Sequence, residues 1–144
     1  MTVKQISVFV ENKPGKLAEF TDVLSNKGIS MRALSIGETP DFGIVRIIVN
    51  DSYKTACVLK EAGYVFSITP VLAVAISDEP GSFSRIIKLL GDNGVNIEYT
   101  YAFTAREKDM AYMIFRVADE EKAIELLSAN NLKILTQDDL AGLQ

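Results

Sequence analysis

The residues best suited to chemistry stand in two short stretches, VENKPGKLAEF around Asn12 and ISDEPGSFSRI around Asp78. Each places a polar residue, then Pro-Gly, where a strand gives way to a helix. A helix start carries unpaired backbone N–H donors and a partial positive charge, and both favour an anion such as an α-carboxylate. Gly15 and Gly81 have no side chain to block that approach. On the residues alone, Asn12 and Asp78 are either ligand contacts or Asx-turn and helix-cap residues, a use that needs no ligand. The stretches differ in charge, since Asn12-Lys13 is neutral to basic and Asp78-Glu79 is acidic, so the first is the better receiver of a carboxylate.

Little else offers chemistry. The chain has no His and a single Cys, which removes the commonest general base, the Ser-His-Asp triad and most zinc sites. The expectation is a non-enzyme with no metal and no cofactor. Cys57 stands among Ala56, Val58 and Leu59 on a helix with no His to activate it, and is assigned a structural role. The clusters Asp119-Glu120-Glu121 and Asp138-Asp139 lack the spacing of an EF-hand loop and read as a helix start and a solvated tail. Tyr99, Tyr101 and Phe103 alternate along one strand, but no basic surface accompanies them, so they are assigned to packing at a sheet or domain interface.

Charge and hydropathy narrow the partners. Fifteen Lys and Arg against nineteen Asp and Glu give a net charge of −4, with the basic residues spread along the chain, so no nucleic acid is expected. No window approaches the roughly 20 apolar residues that cross a bilayer, and the first residues hold no signal-like apolar run. With one cysteine and no possible intrachain disulfide, a cytoplasmic location and no membrane partner follow as expectations.

The elements that must position the two stretches are duplicated. ENKPGKLAEFTDVLSNKGISMR from Glu11 repeats as SDEPGSFSRIIKLLGDNGVNIE from Ser77, an offset of 66 residues, and IVRIIVND repeats as YMIFRVAD at an offset of 68, so the second copy has two extra residues in the hairpin between. Ile6, Val8 and Val10, like Leu72, Val74 and Ile76, alternate as a strand does. Leu17, Phe20 and Leu24, like Phe83, Ile86, Ile87 and Leu90, keep helical spacing, with Pro14 and Pro80 suited to the first helical turn. Gly28 and Gly94 close these helices, and ISMRALSIG and VNIEYTYAF supply second strands. The turns ETPDFG and AREKD lead into third strands. Second helices start at the N-caps Asp51 and Asp119, with Val58, Leu59 and Ala62, or Ala123, Leu126 and Leu127, facing inward. YVFSI and LKILT end the copies.

The order βαββαβ, twice, is an α+β plan of two ferredoxin-like units, each a four-stranded antiparallel sheet with two helices on one face. The expected divisions are a first repeat over 1–68, a second over 71–136 and a tail over 137–144. The sheet faces away from the helices are apolar, with Phe9, Ile44 and Ile48 in one copy and Val71, Ala73, Ala75, Tyr112 and Ile114 in the other. They are expected to be covered by the other repeat or a second chain, with help from the tail.

With its second copy, ENKPGKL resembles the loop of ACT domains, whose pattern is Asp or Asn, one residue, Pro-Gly, one residue, Leu; SDEPGSF departs from it only by Phe83 in place of Leu. The resemblance covers nearly the whole chain. It implies a regulatory protein that senses an amino acid for a metabolic enzyme. It also implies ligand contacts from Asn12, Pro14, Gly15, Lys16 and Leu17, from Asp78, Gly81, Ser82 and Phe83, and from Ser30 and Asn96, which open the second strands. A homodimer is expected. The alternatives are a regulatory subunit resembling the acetolactate synthase small subunit, or an interaction scaffold with no ligand.

Overall fold

In the computed structural model, which describes residues 1–38, 42–104 and 109–142, the period-two pattern of the opening segment forms β1, Val3–Glu11. It continues into α1 (Lys16–Ser25), β2 (Met31–Glu38), β3 (Phe42–Val49) and α2 (Ser52–Glu61). The strand β4, Phe66–Ser77, follows. The chain divides between Thr69 and Pro70 into two units, the second also taking in Met1–Val3. The first unit has strand order β2-β3-β1-β4, with Ile6 opposite Ile47 and Leu34 opposite the same residue. Ile6, Val8 and Val10 of β1 meet Val45 and Ile47 of β3, Phe20 and Leu24 of α1 and Leu59 of α2 in one core. Both helices therefore cover the same face.

The second unit repeats the plan with the remainder of β4, α3 (Ser82–Asp92), β5 (Ile97–Ala102), β6 (Met110–Val117), α4 (Glu120–Ala129) and β7 (Lys133–Leu135). Its strands run β5-β6-β4, with β7 antiparallel on the other side of β4. Leu72, Val74, Phe115, Ile86, Leu90 and Leu127 make its core. Among the described residues the chain thus has seven strands and five helices; the two ferredoxin-like α+β units are those the periodicities predict, with one strand fewer and one helix more than two βαββαβ units contain.

Helix ends follow the sequence closely. The carboxylates of Asp51 and Asp119 accept from the amides of Lys54 and Lys122 at 3.0 and 3.1 Å. Gly28, at φ 70°, lets the Ile29 amide reach back to the Leu24 carbonyl at 3.0 Å, the Schellman closure of α1. The second copies of both devices are present, Val95 donating to Leu90 at 2.9 Å.

Several details differ from expectation. Pro14 and Pro80 sit in the turns before α1 and α3, not in the first helical turns, because Gly15 and Gly81 take the N-cap positions. Leu17 is 38 % exposed. On α2, Ala62 is exposed at the C-cap, and the inward position is held by Thr55, whose hydroxyl donates to the Asp51 carbonyl at 2.7 Å. Cys57 is exposed, so it is not a packed core thiol. The final strand of the first copy and the opening strand of the second are one continuous β4, since the φ fixed by Pro70 is compatible with extended backbone. Parts of ETPDFG and AREKD, 39–41 and 105–108, lie outside the described residues.

Of the residues on the sheet faces away from the helices, Ile48, Val71, Ala73, Ala75, Tyr112 and Ile114 are buried and Phe9 is 46 % exposed; Ile44 is half-buried. The tail folds into α5, Gln137–Ala141, and rests on β7 with Leu140 buried. Asp138-Asp139 is therefore more than a solvated tail: Asp139 accepts from the Thr136 amide at 2.8 Å while Thr136 Oγ1 accepts from the Asp139 amide at 3.2 Å. This reciprocal pair is a capping box.

Candidate functional site

Each Pro-Gly stretch folds as a hydrogen-bonded turn. The Lys16 amide donates to the Lys13 carbonyl at 3.2 Å, and the Ser82 amide to the Glu79 carbonyl at the same distance. Gly15 lies at φ 84°, ψ −16° and Gly81 at φ 91°, ψ −13°. Proline at the second position and a left-handed residue at the third define a type II turn, and that third position is why glycine is needed. Each glycine is also the N-cap of its helix, with no side-chain capping bond. The N-cap positions of α1 and α3 are therefore held by Gly15 and Gly81, not by Asn12 and Asp78.

The turns also decide which donors remain. The amides of Lys16 and Ser82 are spent in the turns, and Glu19 and Arg85 make the first intrahelical bonds, to Gly15 and Gly81, at 3.0 Å each. Helix geometry leaves Leu17 and Ala18, and Phe83 and Ser84, as the orphan donors of the two starts. The Asp78 amide is tied to the Asp109 carbonyl at 2.9 Å.

The electrostatics differ between the copies, in a way that alters the reading from composition. Lys13 pairs with Glu11 at 3.2 Å and Lys16 with Glu19 at 3.3 Å. Glu19 beside it raises the Lys16 ammonium pKa above its ordinary value, by a hydrogen bond and by its charge. The first loop's positive charges are thus already answered. In the second, Ser82 is buried and its Oγ lies 2.7 Å from Ser77 Oγ. Arg85 reaches back to Ser82 Oγ at 3.4 Å, and the Phe83 ring stacks on Phe115 at 5.9 Å.

Ser30 and Asn96 lie elsewhere in their units. The Ser30 amide donates to Asn50 Oδ1 at 3.1 Å, and the Asn96 carbonyl accepts from Ala118 at 3.0 Å. Both partners stand just beyond the ends of β3 and β6. Through the β1–β3 register, Ser30 is level with the start of β1 and Asn12 follows its end, a separation of roughly 30 Å at the strand rise. The β4–β6 register separates Asn96 from Asp78 in the same way. One small ligand cannot touch Asn12 and Ser30 of the same unit.

Among the predicted residues, Ser82 lines a groove of about 640 Å³ beside α3. Its apolar part is Ile76, Ile86, Leu89 and Leu132. Arg85 and Lys88 bring positive charge to it and Glu79 and Asp92 negative, with Ser77 and Asn130 as neutral polar neighbours. Sequence reasoning passed over Arg85. The available signal was the replacement of Glu19 by Arg85 at the repeat offset. Among the described residues no group of three or more His, Cys, Asp or Glu could hold a metal, and no helix is long and apolar enough to cross a membrane.

Comparison with known proteins agrees with this architecture. A protein of Bacteroides thetaiotaomicron of known crystal structure is 37% identical, with a TM-score of 0.91 over 99% of this chain and 98% of that one. The regulatory subunit of aspartate kinase from Thermus thermophilus shares the fold at 18% identity, with a TM-score of 0.64 over 88% of this chain and 90% of its own. The acetolactate synthase small subunit of Mycolicibacterium smegmatis is 27% identical over 112 residues, covering 74% of this chain. The match spans 66% of that subunit's length. The model of the ACT domain pair matches residues 1–144, and with the duplicated βαββαβ unit and its paired Pro-Gly turns this places the chain in the ACT domain pair family.

Proposed function

We propose that this chain is a non-catalytic regulatory protein, cytoplasmic and homodimeric, that binds a small amino acid and transmits its presence to a metabolic enzyme. The observation that carries the reading is the duplicated type II turn. It ends a strand, begins a helix and leaves that helix's second and third amides as donors at both repeats. Those donors suit an α-carboxylate, with Asn12 and Asp78 beside them as polar contacts and Pro14, Gly15, Lys16, Leu17, Gly81 and Phe83 forming the turns and helix starts. Ser30 and Asn96 belong to the opposite ends of their units and have no part in the same contact within a unit. The likeness to small and regulatory subunits supports the regulatory role. An amino acid acts in this way only by binding two states of the protein unequally.

Titration calorimetry on the wild type and on Asn12→Ala tests the reading. Saturable heat with an amino acid supports it; a loss of tenfold or more in the variant assigns the contact to the first loop, and unchanged affinity assigns it to the second unit. Absence of heat with all twenty removes the sensor and leaves an interaction scaffold.

The match to the acetolactate synthase small subunit favours a second reading, a subunit that docks on a larger biosynthetic enzyme. Co-purification of tagged chain with one large enzyme, changed by an amino acid, supports that reading; a chain that elutes alone in every condition opposes it.

A further inference from the structure

We propose that the groove beside α3 in the second unit is the place where an aliphatic α-amino acid binds, with its carboxylate on Arg85. This rests on the sensor reading and names a site for it. At about 640 Å³ the groove has the size of small-molecule sites. It presents both charges, Arg85 and Lys88 against Glu79 and Asp92. A plain anion would meet the carboxylates and a plain cation the basic pair, whereas a zwitterion satisfies both at once. A guanidinium fork also matches a carboxylate in two-point fashion. Arg85 holds Ser82 Oγ only at 3.4 Å, a long bond that is surrendered at little cost. The floor of Ile76, Ile86, Leu89 and Leu132 carries no ring and no polar atom, which suits a branched aliphatic side chain.

Comparison of the repeats gives an independent reason. In the first unit the places of Ile86 and Leu132 are taken by Phe20 and Tyr64, whose rings pack edge to face at 5.5 Å. The places of Ser82 and Arg85 are taken by Lys16 and Glu19, which pair with each other. Relative to the first unit, the second therefore lacks two rings and an ion pair at this spot, and gains a guanidinium and a serine pair of which Ser82 is buried.

The test is titration calorimetry of the full chain with each of the twenty amino acids, valine, leucine and isoleucine among them, on the wild type, Arg85→Gln, Leu132→Tyr and, as a control, Cys57→Ser. The expected result is binding to the wild type and the control, a loss of tenfold or more in Arg85→Gln, and no binding in Leu132→Tyr. Arg85 is exposed, so its variant folds, and a matching circular-dichroism melt checks Leu132→Tyr. Wild-type affinity in Arg85→Gln overturns the groove; if binding is then lost in Asn12→Ala, the sensor reading stands with its ligand in the first loop. Binding confined to charged or aromatic amino acids overturns the ligand class. No binding by any of the twenty overturns both.

Discussion

Ser77 Oγ and Ser82 Oγ lie 2.7 Å apart, joining the end of β4 to the first residue of α3. Their counterparts in the first repeat, Glu11 and Lys16, pair instead with Lys13 and Glu19. One turn is closed from within by hydroxyls and the other carries exposed ion pairs. Exposed pairs contribute little, typically about 0–1 kcal/mol, while loss of the hydrogen bond from the buried Ser82 to the exposed Ser77 costs about 0.5–1.5 kcal/mol. Ser82→Ala is expected to lower the urea midpoint measurably, and Lys13→Ala to leave it almost unchanged.

Gly81 and Gly91 are ten residues apart and should respond to alanine with opposite signs. Gly81 stands at φ 91° with open space around its missing side chain, so Gly81→Ala costs backbone strain of about 1–2 kcal/mol and no clash. Gly91 lies inside α3 with no positive φ and equally open space, so Gly91→Ala stabilises by about 0.5–1 kcal/mol. Denaturant unfolding of the two variants checks both signs.

Asp51 and Asp119 each satisfy one helix-start amide, at 3.0 and 3.1 Å. Alanine at either is expected to cost about 1 kcal/mol, and asparagine, which keeps the acceptor, much less. Thermal melts of the four variants separate loss of the cap from loss of charge.

Most of the fold was legible because repetition doubles every local signal. The two copies agree on alternation in β1 and β4, on the glycines closing α1 and α3, and on aspartate caps for α2 and α4. What stayed hidden depended on contacts rather than pattern. Pro14 suits a first helical turn, and only the glycine after it, forced left-handed by the turn, takes the cap and pushes the helix start onward. The pairing of Ser30 with Asn12 was implied by the family resemblance, and strand register sets them at opposite ends of a sheet. Arg85 was missed because a charge on an exposed helix face looks like any other until Leu132 and Ser82 are found beside it.

The capping box of α5 should respond to acid. Donation from the Thr136 amide and hydroxyl holds the Asp139 carboxyl below its ordinary value of 3.8. A carboxyl depressed in the folded state contributes stability that is present above that ordinary value and is lost as pH falls through the lower folded value. Protection of the Leu140 amide against hydrogen exchange, relative to its intrinsic rate, is therefore expected to fall in the wild type as pH drops below 3.8. Asp139→Asn should show weaker protection at neutral pH and little further change in acid.

Thermal unfolding of the full chain against each of the twenty amino acids tests the sensor account most directly, since a ligand that binds only the folded state must stabilise it by mass action. At a concentration one hundred times the dissociation constant the gain is about 2.7 kcal/mol, which for a chain of this size raises the midpoint by roughly 5–10 °C. A rise confined to one or a few amino acids is the predicted result. A midpoint that stays flat across all twenty at millimolar concentration would contradict it.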